Sequence, residues 1–155
     1  MVGEDEVRGA VYVDSGGWIA LLGRRDRNHR EAKALFREAR RRRRELFTSN
    51  LVLAEVHRFI LFRAGIAPAV TALERIGRAE RLSVEFVTRV IHDAAIAWLR
   101  RFTDQPFTYT DATSFAVMQS CGSRQAITFD RHFEIAGFER WRPEAARVAR
   151  PKPDG

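Results

Sequence analysis

Four acids carry the chemistry that this chain of 155 residues suggests. Asp14 closes the apolar run in VYVDSGGWIALL, and Asp130 closes another in QAITFDRHF. Asp111 lies near the start of the helical stretch TYTDATSFAVMQSCG, and Glu55 lies within LVLAEVHRFILFRAG. In open parallel sheets, ligands bind outside the carboxyl ends of strands and beside helix amino termini. Asp14 and Asp130 fall at two strand ends, and Asp111 falls where a helix dipole favours negative charge. Glu55 shares a helix face with Leu51, Phe59 and Phe62, which puts a carboxylate on an apolar stripe. Taken singly, each acid has an ordinary role as turn, cap, Asx-turn or partner of an arginine such as Arg58. Taken together they would repel one another in a partly dry pocket. A hard divalent cation with oxygen ligands, Mg²⁺ or Mn²⁺, offsets that repulsion. Zinc is disfavoured, because His29, His57, His92, His132 and Cys121 show no ligand spacing.

Charge points to the substrate of such a centre. The chain holds 27 Lys and Arg against 20 Asp and Glu, a net charge of +7. A basic chain attracts polyanions, nucleic acid first among them. A cation held by acids in such a chain suits phosphodiester hydrolysis, where it polarises a phosphoryl oxygen and makes water a stronger nucleophile. Ser15 and Thr128 are placed to orient water or phosphate beside it. Ser114, one helical turn after Asp111, faces the same way, with packing or capping as its plainer role. His132 is read as a base or, more simply, as a surface histidine. Lys33 and Lys152 are the only lysines, and the densest basic run is Arg37 followed by Arg40, Arg41, Arg42, Arg43 and Arg44. That run fits a solvated helix end equally with a phosphate-contacting patch.

Positioning these groups requires alternating strands and helices. Strands are expected at residues 10–14, in ELFTS, in RLSVEF and in QAITFD, with GFERW as a short fifth at an edge. Helices are expected over residues 18–22, 29–43, 51–65, 66–80 and 87–102, and again from Thr110 to Gly122. Asn50 and Thr110 are read as N-caps, and Gly65 closes the helix after Asn50. The order implies one α/β domain over residues 1–141 with a parallel sheet covered on both faces. The tail, residues 142–155, carries Pro143, Pro151 and Pro153 and is expected to be poorly ordered.

Bulk properties narrow the class further. Apolar content of 45% with 30% charged residues suits a folded globular chain and no membrane span. The acidic beginning, MVGEDEVRGAVYVD, lacks a signal pattern. The lone Cys121, read as a small buried helix residue, cannot form an internal disulfide, so a cytoplasmic location is expected. A receiver-like site needs an acid pair after the first strand, where Asp14-Ser15 stands. A dehalogenase-type phosphatase needs a second Asp where Gly16 sits. No GxGxxG follows the first strand, which argues against a dinucleotide site.

Four segments in this order, VYVDSGGWIALL, TSNLVLAEVHRF, TYTDATSFAVM and AITFDRHFEIAGF, resemble the PIN-domain family, in particular its VapC-type toxin ribonucleases. The resemblance spans residues 10–141. It implies a three-layer α/β/α sandwich around a parallel sheet of four or five strands. It also implies Mg²⁺- or Mn²⁺-dependent cleavage of RNA, with Asp14, Glu55, Asp111 and Asp130 as metal-binding acids. Ser15 stands where the family carries Ser or Thr, whereas Gly16-Gly17 departs from its pattern and loosens a helix start. A homodimer is implied, inhibited by a small antitoxin whose carboxyl-terminal segment lies in the active-site groove. The competing expectations are a processing nuclease of the same fold acting on RNA or DNA, and a nucleic-acid-binding module without catalysis.

Overall fold

The computed structural model describes residues 9–147. Five parallel strands form one sheet: β1 (Val11–Val13), β2 (Leu46–Ser49), β3 (Leu82–Glu85), β4 (Gln125–Ile127) and β5 (Glu139–Arg140). Their order is β3-β2-β1-β4-β5. Seven α-helices flank the sheet: α1 (Ser15–Leu22), α2 (His29–Arg41), α3 (Asn50–Ala64), α4 (Ile66–Gly77), α5 (Arg89–Arg101), α6 (Tyr109–Ser120) and α7 (His132–Ile135). The expected three-layer α/β/α architecture is the observed one, with five strands.

The burial of each strand follows its place in the sheet. Every residue of β1 and β2 is buried, as it must be where helices cover both faces. The edge strand β3 alternates, with Leu82 and Val84 half-buried and Ser83 and Glu85 exposed. Phe86, expected to continue that strand, lies past its end and is 71% exposed. α6 is buried from Ala112 to Met118, and this apolar helix is the centre of the core. Phe115 on α6 meets Phe107 edge-on at 5.1 Å, Phe133 at 5.1 Å and Phe138 in a stack at 5.5 Å.

Strand order sets the place for a site. From β1 the chain builds outward through β2 and β3, then crosses back to add β4 on the other side of β1. Such a reversal opens a crevice at the carboxyl ends of the two adjoining strands. Val13 of β1 pairs with Ile127 of β4, and the Asp14 N–H donates to the Ile127 carbonyl at 3.1 Å. The residues after Val13 and Ile127 therefore emerge side by side.

Both expected helix caps are displaced. Ser49 caps α3, its hydroxyl accepting from Val52 N–H at 3.2 Å. Asn50 instead accepts from Val87 N–H at 2.9 Å and ties the start of α3 to the segment after β3. Thr108, not Thr110, caps α6 in a capping box completed by Asp111. The tail is described as far as residue 147. The Arg142 guanidinium donates to the Thr128 carbonyl at 2.7 Å and pairs with Glu31, and Ala146 is buried in a 3-10 turn over Glu144–Ala146. The rest of the tail, and the acidic first residues, lie outside the described residues.

Cys121 is exposed at the end of α6 rather than inside it. Partial burial, with Glu85 nearby, still pushes its thiol up, away from the reactive thiolate. Among the described residues, no helix is long and apolar enough to cross a membrane.

Candidate metal centre

Asp14 occupies the N-cap position of α1, yet its side chain makes no cap bond. Its carboxylate is buried and accepts the Thr128 hydroxyl at Oδ2, 3.2 Å away. Burial pushes the Asp14 carboxyl up to about 7, and the charges of Asp111 and Glu55 push in the same direction. The Ser15 backbone N–H and the Thr128 hydroxyl pull the other way and are outweighed. Burial also raises the neighbouring Tyr12 phenol, to which Asp14 and Glu55 add their charges. The acids thus disfavour one another's charge at this end of the sheet.

Two of the ordinary roles expected for the acids are real and do not disperse them. Asp111 does cap: its Oδ2 accepts from Thr108 N–H at 3.0 Å, while Thr108 Oγ1 accepts from Asp111 N–H at 3.0 Å. Asp130 does form an Asx-turn, its Oδ1 accepting from His132 N–H at 2.9 Å. These bonds hold each carboxylate in one orientation. Asp111 Oδ2 and Asp130 Oδ2 each stand 3.4 Å from the Nδ1 of His132. Asp111, Asp130 and His132 thus offer three ligand atoms within 4.8 Å of one another.

Glu55 reaches the centre from α3, close enough to raise Asp14, and it shares a shallow cavity with Ser15, Ile19 and Arg58. It is half-buried, and the expectation of an apolar stripe beneath it needs correction. Val52 and Val56 form the core face of α3, whereas Phe59 and Phe62 are 39% and 75% exposed. Glu55 therefore looks out on an open groove rather than into the core. The guanidinium of Arg58 lies over the Phe62 ring at 5.2 Å, and no ion pair joins it to Glu55 among the described residues.

The polar neighbours divide by depth. Ser15 lines both the cavity with Glu55 and a second one with Asp14 and Asp130. Thr128 is fully buried, donates to Asp14 and accepts from the Asp130 N–H at 3.1 Å, so one hydroxyl links the two strand-end acids. Ser114 does not line the groove. It is fully buried and accepts the Tyr12 hydroxyl at 2.8 Å, which matches the plainer packing reading.

The arginine run stands elsewhere. Arg40–Arg44 precede β2 and thus lie at the amino-terminal edge of the sheet, opposite the acids. Arg41 and Arg42 pair with Glu38, whose carboxyl they hold well below the usual range. Arg44 is buried, donating to the Gly9 carbonyl at 2.9 Å. None of the run lines the two cavities beside the acids. Arg58 and Arg63 flank Glu55, and Arg131 and Arg140 flank Asp14 and Asp130. Arg58 was read only as a partner for Glu55 and His132 as a base or surface histidine, while Arg63, Arg131 and Arg140 carry no local signal, because no run gathers them.

The PIN domain family model matches residues 11–139. The chain belongs to the PIN-domain family and, within it, to the VapC-type toxin ribonucleases. It is similar to the 23S rRNA-specific endonuclease VapC20 of Mycobacterium tuberculosis, strains H37Rv and CDC 1551. Each is 37% identical over 134 residues, which cover 86% of this chain and 99% of the relative. The crystal structure of the M. tuberculosis VapC20, a sarcin-ricin loop cleaving toxin, superposes with a TM-score of 0.78 at 35% identity. That match covers 86% of this chain and all of the other.

Proposed function

We propose that this chain is a divalent-metal-dependent endoribonuclease, the toxin of a toxin–antitoxin pair, acting in the cytoplasm on structured ribosomal RNA. The observation that carries the metal requirement is the buried Asp14, whose carboxyl is raised first by burial and then by the charges of Asp111 and Glu55. An oxygen-rich set of Asp14, Glu55, Asp111 and Asp130 fits Mg²⁺ or Mn²⁺. A cation bound there supplies charge stabilisation for the phosphoryl group and a more acidic water.

The remaining work falls to the chain's own groups. Arg58, Arg63, Arg131 and Arg140 border the groove and suit the phosphates flanking the scissile bond. Arg140 Nε lies 2.6 Å from Glu134 Oε1 as an ion pair without a hydrogen bond. Ser15, at the first turn of α1, presents its hydroxyl and the helix amino terminus to an anion. Acidic side chains of an antitoxin segment suit the same arginines. The exposed Phe59 and Phe62 beside them offer apolar contact to either kind of partner. Homodimerisation accompanies this assignment. The ribosomal target rests on the likeness to VapC20.

Cleavage of 23S ribosomal RNA in Mg²⁺ or Mn²⁺ tests the reading. Cutting should stop on addition of EDTA, return with excess cation, and fall at least ~100-fold in Asp111→Asn. Cutting that continues unchanged in EDTA and in the variant would overturn it.

A pH profile gives a second check. A cation binding Asp14 displaces its proton below about pH 7, so Mn²⁺ affinity should rise with pH and level off above that point. Calorimetric titration should show a gain approaching about tenfold per pH unit between roughly pH 5 and 7. A flat profile would remove Asp14 from the ligand set.

A further inference from the structure

We propose that His132 supplies a nitrogen ligand, through Nδ1, at a cation position shared with Asp111 and Asp130, and that it biases this position toward Mn²⁺ over Mg²⁺. The inference rests on the metal-dependent reading above and adds a donor of a different chemical kind to it.

The geometry is specific to one atom of the ring. Nδ1 is buried, lies 3.4 Å from Oδ2 of both carboxylates, and is hydrogen-bonded to neither. A buried ring nitrogen without a hydrogen-bond partner is costly unless something else satisfies it. The ring cannot easily turn away. Phe107 meets it edge-on at 5.3 Å, and the Asp130 carboxylate holds the His132 backbone N–H. The capping box fixes Asp111 in the same way from the other side. Three donor atoms so placed, within 4.8 Å of one another, can face a single ion.

Donor chemistry then sets the preference. Mg²⁺ favours oxygen ligands and keeps its waters, whereas imidazole suits the later divalent metals better. A neutral His132 with its proton on Nε2 presents a lone pair at Nδ1. The simple alternative is an imidazolium paired with both acids, which leaves no nitrogen for the metal.

Pulsed electron paramagnetic resonance on the full chain loaded with Mn²⁺ separates the two. Wild-type protein should show ¹⁴N modulation that changes on ¹⁵N-histidine labelling and is absent in His132→Asn. Calorimetry should show Mn²⁺ binding weakened about tenfold or more in that variant, and Mg²⁺ binding by less than about threefold. Absence of nitrogen modulation in Mn²⁺-loaded wild-type protein would overturn the assignment, with no variant needed. Equal weakening for both cations would overturn the proposed bias. A protein that cleaves RNA with added cation but shows no nitrogen coupling loses only His132. One that cleaves with no cation at all loses the reading beneath it.

Discussion

Asp14→Asn should lower RNA cleavage at least ~100-fold and, in the same protein, raise the stability of the metal-free fold. The two effects have one origin. The Asp14 carboxyl stands at about 7 in the folded chain against 3.8 for an ordinary aspartate. Because the folded value is the higher one, the fold keeps a proton that the unfolded chain gives up between about pH 4 and 7. Stability from this group is therefore present at acid pH and is lost as pH rises through that window. By neutral pH the penalty is on the order of 4 kcal/mol. Asn is never charged and can still accept the Thr128 hydroxyl, so the penalty disappears. Calorimetric melts without metal should diverge as pH rises, the variant melting higher near pH 7.5 and the two approaching each other near pH 4. A variant less stable than wild type at pH 7.5 would contradict the account. Function here is bought with stability, as is common where acids gather for catalysis.

Gly17→Ala should destabilise the fold by about 1–3 kcal/mol and weaken cleavage with it, while Gly16→Ala should do neither. A Cβ on Gly17 would lie 2.9 Å from the Ile127 carbonyl oxygen, 3.0 Å from Ile127 Cγ2 and 3.2 Å from Val13 Cγ1. The carbonyl cannot simply move aside, because it accepts the Asp14 N–H that joins β1 to β4 beneath the acids. Relief has to come from lifting the first turn of α1, which carries Asp14 and Ser15 away from Asp130. A Cβ on Gly16 meets nothing within 4 Å, and Ala there should add about 0.5–1 kcal/mol as a better helix former. The glycine pair that looked like a loosened helix start thus has one member required by close packing of helix on sheet. Equal melting temperatures for the two variants would contradict this.

The parts of the site legible in the sequence were those with a local signature. Asp14 directly follows β1 and Asp130 stands three residues past the end of β4, and strand periodicity comes close to both places. The competing assignments failed where a choice depended on a distant partner. Ser49 and Asn50 are both good capping residues, and it is Val87 N–H, 37 residues on, that claims Asn50 and leaves the cap to Ser49. Thr108 and Thr110 are equally alike, and the return bond from Asp111 selects Thr108. Periodicity located Glu55 on a face with Phe59 and Phe62 but could not say that this face stays uncovered. Helical spacing put Ser114 on the side of Asp111 but could not show its full burial or its bond from the Tyr12 hydroxyl.

Density of charge does not mark the arginines nearest the acids. Arg40–Arg44 stand out in the sequence because they are consecutive, yet their neighbours are Glu38, Gly9 and the far edge of the sheet. The arginines beside the acids are dispersed over α3, the loop after β4, and β5. His132 was set aside as a surface residue for a similar reason. Its significance comes from Asp111, carried in by a helix that begins 23 residues before it, and from a Phe107 ring that no spacing rule connects to it.

The most direct test is an anomalous difference map from crystals of the chain grown or soaked with Mn²⁺. A peak within about 2.5 Å of carboxylate oxygens from Asp14 and Asp111 or from Asp111 and Asp130 is the expected result, since acids remote in sequence would then share one ion. Manganese bound elsewhere, with these carboxylates ligated only by backbone amides, hydroxyls and arginines in a preparation that still cuts RNA, would contradict it.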